Sequence, residues 1–153
     1  MKIKYHATIP PEADFYALFS TTGWNVDYKL TAAELYLAAT NSWYFITASD
    51  GGKLVGSGRI VGDGIVHALI LDLIVNPDYR RRGIGSAILQ KMLEHCRQHN
   101  IRDIQLFAAR GSRKFYEKNG FSVRPEAAPG MEVRFRKEVD LLKRAIVTVE
   151  GQD

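Results

Sequence analysis

The stretch NPDYRRRGIGSAILQKM, Asn76–Met92, decides how this chain folds. It joins an apolar run ending at Val75 to a segment of helical spacing, and the junction holds three consecutive arginines and two glycines. Ile84, Ile88, Met92 and Cys96 recur every four residues, with Leu89 and Leu93 widening the stripe. Gln90, Lys91, Glu94, Arg97 and Gln98 fall on the other side. That spacing predicts an amphipathic helix from Gly83 to about His99, closed by Asn100 in a left-handed cap. DIQLFA, 103–108, reads as the next strand. Strand, helix, strand is a crossover, so the strands ending at Val75 and Ala108 are expected to be parallel neighbours.

Upstream, SWYFITAS, KLVGSGRIV and IVHALILDLIV read as three strands, separated by Asp50-Gly51-Gly52 and Gly62-Asp63-Gly64. Tight turns between such runs make an antiparallel meander. KIKYHATI alternates and predicts a further strand before Pro10 and Pro11, and Glu12–Phe19 a short helix. In LTAAELYLAA, Thr31 and Glu34 form a capping box ahead of a helix over 32–39. Downstream, Ser112 is expected to cap a short helix through Asn119, with Gly120 at its end, and FSVRP and MEVRFR to be final strands. The tail, 137–153, fits helix and strand spacing equally. The expected fold is α/β (α+β): a mixed, mostly antiparallel sheet with a central parallel β-α-β crossover and helices on both faces. Its 153 residues suit one domain, 1–153, with a core large enough to need no staples.

With 46% apolar and 25% charged residues the composition is that of a folded domain and not of a disordered chain. No apolar run approaches the ~18 residues that cross a bilayer. The N-terminus lacks the apolar block of a signal peptide, and a single cysteine, Cys96, suits a reducing, cytoplasmic setting. The net charge of +4 favours anionic ligands without selecting one.

Three readings of RRRGIG compete. In the first it is a pyrophosphate cradle, because free amides at a helix N-terminus, glycines without Cβ and arginines all favour phosphate. In the second it is a dinucleotide fingerprint. Ile88 stands where that pattern wants Gly or Ala, and no acidic residue closes the next strand near Phe107. In the third it is a nucleic-acid patch, against which the exposed helix face is mixed in charge. A merely solvated run fits poorly, since arginines and the positive helix end repel unless an anion sits between them.

IVNPDYRRRGIGSAIL resembles the signature of the GNAT superfamily of acyl-CoA-dependent N-acyltransferases, Arg/Gln-x-x-Gly-x-Gly/Ala, here Arg80, Gly83 and Gly85. FYEKNGF, Phe115–Phe121, resembles the second landmark of that family. The resemblance spans about Trp43 to Phe135, and LFA…FYEKNGF…RPEAAPGM further resembles its arylalkylamine (serotonin-type) branch. It implies acetyl-CoA as cosubstrate, lying in a split between the two parallel strands. The pyrophosphate would rest on the backbone amides of Arg81, Arg82, Gly83, Ile84, Gly85 and Ser86, and the pantetheine arm would pair with Ile74 and Val75, with Leu73 and Arg80 also contacting the cofactor. Ala108, Ser112, Phe115 and Tyr116 complete the cofactor-contacting set. Ala109 departs from the asparagine that many relatives carry there, and Ser112 from a small alanine.

The implied chemistry needs a proton acceptor for the amine, a donor to the tetrahedral oxyanion and a proton for the leaving thiolate. By resemblance Tyr116 supplies the last. Asp72 is the candidate base, a lone carboxylate in an apolar strand, against the plainer reading of a hydrogen-bonded strand residue. Glu34, His67 and Glu132 are weaker candidates. His95 and His99, four apart, have no further ligand cluster, so no metal is expected, and Cys96 reads as core. The expected acceptor is a small amine with an apolar body or a protein amine, from the aromatic loops 24–28 and 127–131. A protein that only binds CoA or nucleic acid is the alternative of another class, and a tail-mediated homodimer is conceivable.

Overall fold

The computed structural model describes residues 1–135. The chain forms two compact units, Met1–Phe121 and Ser122–Asp153. The first carries the sheet, five strands in the order β1-β2-β3-β4-β5. These are β1 (Ile3–His6), β2 (Tyr44–Asp50), β3 (Lys53–Gly62), β4 (His67–Val75) and β5 (Asp103–Leu106). The first four pair antiparallel, and β5 joins β4 in parallel, as the crossover requires. Helices α1 (Glu12–Ser20), α2 (Asn25–Tyr28) and α3 (Ala32–Thr40) precede β2, with α4 (Ile84–Gln98) and α5 (Arg113–Lys118) flanking β5 in sequence.

Two cores sit on opposite faces of the sheet. Ile84, Ile88, Leu89, Met92 and Cys96 of α4 bury against Ile46, Val55, Ile60 and Ile70. Phe15, Leu18 and Phe19 of α1 and Leu35 and Ala39 of α3 bury against Phe45 and Ile74. Each fully buried aliphatic chain contributes about 1.5–3 kcal/mol. The α4 face is close-fitted by two glycines that point at it from β3. A Cβ on Gly58 would lie 2.8 Å from Met92 Cε, and one on Gly56 2.9 Å from Ile88 Cδ1. The spacing of two in KLVGSGRIV therefore clears a track for the helix.

The capping box forms as expected, with Thr31 N donating to Glu34 Oε2 at 2.7 Å and Glu34 N to Thr31 Oγ1 at 3.2 Å. Asn100 takes the expected left-handed backbone, φ 58°. Four expectations need correction. The turn after β3 is longer than two glycines suggest, because Asp63 Oδ1 accepts from the amides of Ile65, Val66 and His67 and delays β4 to His67. The loop 24–28 contains a helical turn, α2, tied to Leu30 by Asn25. Strand β5 stops at Leu106, so Phe107 and Ala108 lie beyond it. FSVRP and MEVRFR form no strand among the described residues; Val123, Val133 and Phe135 are exposed, and alternation alone makes no strand without a partner ladder. The expectations for 137–153 lie outside the described residues.

Candidate active site

Pairing between β4 and β5 runs from His67–Asp103 to Ile70–Leu106 and then ends. The five residues of β4 beyond it, Leu71–Val75, have no partner on that side among the described residues. This is the split the sequence led us to expect, opened earlier than expected because β5 is short. At its mouth, β3 and β4 lose register. Ser57 faces Ile74 and Arg59 faces Leu71, so Gly58 alone opposes Asp72 and Leu73. The extra residue is a β-bulge, and Asp72 bears its left-handed backbone, φ 50°.

A salt bridge braces the bulge. Arg59 Nε donates to Asp72 Oδ2 at 2.7 Å, and Arg59 Nη1 reaches Ala38 O at 3.3 Å and Ser42 Oγ at 3.5 Å. Asp72 is thus oriented to the α3 side of the sheet. Its Oδ1 accepts no hydrogen bond from the described residues. Arg59 was not singled out in the sequence. The available signal was that it and Asp72 are the lone interior charges, of opposite sign, in two neighbouring apolar strands.

At the other end of the split, Asn76 opens a 3₁₀ turn, Pro77–Tyr79, and the glycine loop follows. Arg81 and Gly83 both adopt left-handed backbone, φ 60° and 78°. Helix α4 then begins with no side-chain cap and no acidic residue in its first turn. Its free amides and positive dipole end are available to an anion. The three arginines differ in setting. Arg82 lies over the Tyr79 ring, 5.3 Å from the centroid, and Tyr79 OH donates to Asp50 Oδ2 at 3.1 Å, which braces the loop to the β2–β3 turn. All three arginines are exposed.

Helix α5 docks on the same loop. A Cβ on Gly85 would touch Phe115 Cζ at 3.4 Å and Val75 Cγ2 at 3.5 Å. One spot therefore gathers the end of β4, the first turn of α4 and the landmark helix. Tyr116 sits beside it, edge-on to Phe115 at 5.1 Å and to Phe121 at 5.8 Å. Burial raises its phenol above the ordinary tyrosine value, so the hydroxyl keeps its proton at neutral pH. Tyr116 packs with the α4-side core, whereas Asp72 is held toward α3. The two candidates thus flank the sheet from opposite faces.

Ser112 stands at the start of α5 but its side chain caps nothing; Oγ donates to Ala109 O at 2.6 Å instead. A three-residue back-bond competes with the cap. Ala108 is exposed beyond β5. Glu34 is committed to its capping box, His67 lies 3.4 Å from Asp103 at the start of β4, and Glu132 pairs with Arg134 in the second unit. His95 and His99 stack among Trp43 and Tyr44, and no group of three or more metal-ligating side chains occurs among the described residues. No helix among them is long and apolar enough to cross a membrane.

An uncapped helix end facing a split parallel pair, with a half-buried phenol alongside, is the architecture of an acyl-CoA-binding transferase fold. The chain belongs to the Acetyltransferase (GNAT) family, whose pattern matches residues 12–121. It is 32% identical over 126 residues to a histone acetyltransferase of Glycine max, covering 77% of this chain and 54% of that protein. It is 31% identical over 84 residues to a chloroplastic serotonin N-acetyltransferase of Oryza sativa, 55% of this chain and 42% of that one. A GNAT-family acetyltransferase from Streptococcus pneumoniae superposes with a TM-score of 0.72 at 29% identity, covering 90% of this chain and 98% of its own. The chain spans from about one third to two thirds of the length of the curated relatives it matches.

Proposed function

We propose that this chain transfers an acetyl group from acetyl-CoA to a primary amine by direct attack in a ternary complex. The observation that carries the proposal is the uncapped N-terminus of α4 at the open end of the β4–β5 split. The pyrophosphate rests on the amides of 83–86, and the pantetheine arm takes the unpaired edge of Leu71–Val75 in place of a strand. The thioester then lies near the bulge, where a β4 amide can donate to the oxyanion.

The chemistry follows from the two faces. An amine arriving from the α3 side meets Asp72, whose Oδ1 takes its proton directly or through water. With the amine now neutral, the nitrogen lone pair attacks the carbonyl carbon, the tetrahedral intermediate collapses, the C–S bond breaks and the nitrogen sheds its remaining extra proton to solvent. The thiolate leaves toward the α4 side and takes the Tyr116 proton; solvent returns a proton to the phenolate as Asp72 releases one. The products are the N-acetylated amine and CoA. Arg59 holds the other carboxylate oxygen, Oδ2, of Asp72. The acceptor is a small arylalkylamine, by the likeness to the serotonin acetylating relative, or a lysine-bearing protein, by the likeness to the histone acetylating one. A cytoplasmic setting is part of the same proposal, supported by the lone Cys96, which suits a reducing compartment.

Thermal-shift titration with acetyl-CoA, NADH and a short DNA duplex tests the cosubstrate. A shift with acetyl-CoA alone supports the proposal, by mass action on the native state. Thiol release with tryptamine and with a lysine peptide then separates the acceptors. No shift with acetyl-CoA, or a shift with NADH or DNA in its place, removes the transferase reading.

A further inference from the structure

The landmark helix carries an amide that the reading above does not use. Asn119 Nδ2 donates to Phe115 O at 2.8 Å and to Ser86 Oγ at 3.3 Å, while Gln90 Nε2 donates to Asn119 Oδ1 at 3.3 Å. Its orientation is fixed by chemistry. A backbone carbonyl only accepts, so the nitrogen must face Phe115 O, and the oxygen is then left for Gln90. One side chain thus spans three places: the body of α5, the first turn of α4 at Ser86, and the second turn at Gln90.

The consequence lies at Ser86. Its oxygen accepts from Asn119, and its own proton is donated to no acceptor among the described residues. A hydroxyl in this first turn would ordinarily be free to rotate or to bond back to the preceding turn. Here one lone pair is occupied, which directs the proton away from Asn119. Phe115 packs over Gly85, so this short bridge also sets where α5, and with it Tyr116, stands relative to the helix end.

We propose that Asn119 is a positioning residue that couples the cosubstrate cradle to the proton donor: it orients the Ser86 hydroxyl for the phosphate and holds Tyr116 in register with the bound thioester. This deepens the transferase reading and rests on it. The coupling predicts a split in kinetic constants. Asn119→Ala frees Ser86 and loosens α5, so it lowers kcat about tenfold, the ~1.4 kcal/mol of one lost interaction, and raises Kd for acetyl-CoA only about twofold to threefold as the Ser86 proton loses its direction. Asn119→Asp keeps the shape but accepts where the amide donated. It turns the Ser86 proton inward and sets a negative charge beside the phosphate, so Kd rises at least tenfold, ~1.4 kcal/mol or more.

The experiment measures Kd for acetyl-CoA by calorimetry, and kcat by thiol release, for wild type, Asn119→Ala, Asn119→Asp, Ser86→Ala and the Ser86→Ala/Asn119→Ala pair. Non-additive losses in the double variant, with a larger rise in Kd for Asn119→Asp than for Asn119→Ala, support the coupling. Multiplicative losses overturn it. So does wild-type kcat in Asn119→Ala, or equal Kd in the Ala and Asp variants. Melting temperatures report whether any loss merely follows unfolding, which also counts against the proposal. Failure of the transferase reading is distinct, because wild-type protein would then bind no acetyl-CoA.

Discussion

Arg59 and Asp72, thirteen residues apart, meet at 2.7 Å across the bulge that ends the regular pairing of β3 and β4. Both are largely shielded, with side chains 14% and 22% exposed, so their pairing matters more than that of the surface pairs elsewhere. Replacing Arg59 by Met leaves the carboxylate without its partner at a left-handed backbone position. The expected loss is about 1.5–3 kcal/mol by urea denaturation. Asp72→Asn can still accept from Arg59 and should unfold near the wild-type midpoint. As it takes no proton, turnover should fall about 100-fold. Unchanged turnover would leave Asp72 a brace alone.

Tyr116 makes a prediction at the other end of the pH scale. Burial raises its pKa, so the proton is retained beyond the ordinary phenol range. The wild-type kcat should hold through neutral pH and decline only above about pH 10, the unperturbed phenol value. Tyr116→Phe should lose roughly 100-fold in kcat while binding acetyl-CoA, and lose that alkaline limb. Full turnover in the variant would assign the leaving-group proton to another donor.

The two loop glycines should fail differently. Gly83 has φ 78° and open space around it, so Gly83→Ala meets strain and no clash. The expected cost is about 1–2 kcal/mol, seen as a lower Tm and weaker acetyl-CoA binding. Gly85 has an ordinary backbone, but a Cβ there would just reach Phe115 and Val75. Gly85→Ala should therefore be mild, whereas Gly85→Leu should displace α5 and abolish turnover with the sheet intact by circular dichroism.

His95 supplies a pH test of stability. Its pKa is lowered by burial and then by His99, and its ring stacks on Tyr44 at 4.0 Å. The unfolded chain binds the proton more readily than the folded one. The contribution to stability is therefore present above the unfolded value of about 6.5 and lost as pH falls through the lower folded pKa. Wild-type Tm should fall more steeply below pH 6.5 than that of His95→Gln. The nearby groups are Lys91, Glu94 and His99 on the same helix or its end and Tyr5, Trp43 and Tyr44 from other elements, so an equal slope in His99→Gln would move the effect to the pair.

Much of the fold was legible because it rests on local signals. The α4 stripe, the Thr31–Glu34 box and the βαβ order are written in spacing and capping chemistry, and each formed where expected. What stayed hidden depends on contacts between strands. The bulge at Asp72 has no local signature, since a one-residue slip arises from how β3 and β4 register. The clearance at Gly56 and Gly58 is visible only once α4 lies over them. Asn119 looked like a helix stop; that it reaches back thirty-three residues to Ser86 is a matter of docking. FSVRP and MEVRFR show the reverse error, in which alternation was read without a partner.

The early end of the β4–β5 ladder makes the site a gauge of length. From Leu71 to Val75 the open edge spans on the order of 15 Å, at ~3.3 Å per residue. In the proposed reading the phosphate sits at one end, on the first turn of α4, and the bulge lies at the other. On that reading a donor carries its reactive carbon about that far from its phosphate, on a chain thin enough to lie along a single strand edge. Donors with a shorter arm leave the carbonyl short of the bulge, however tightly the loop holds their phosphates.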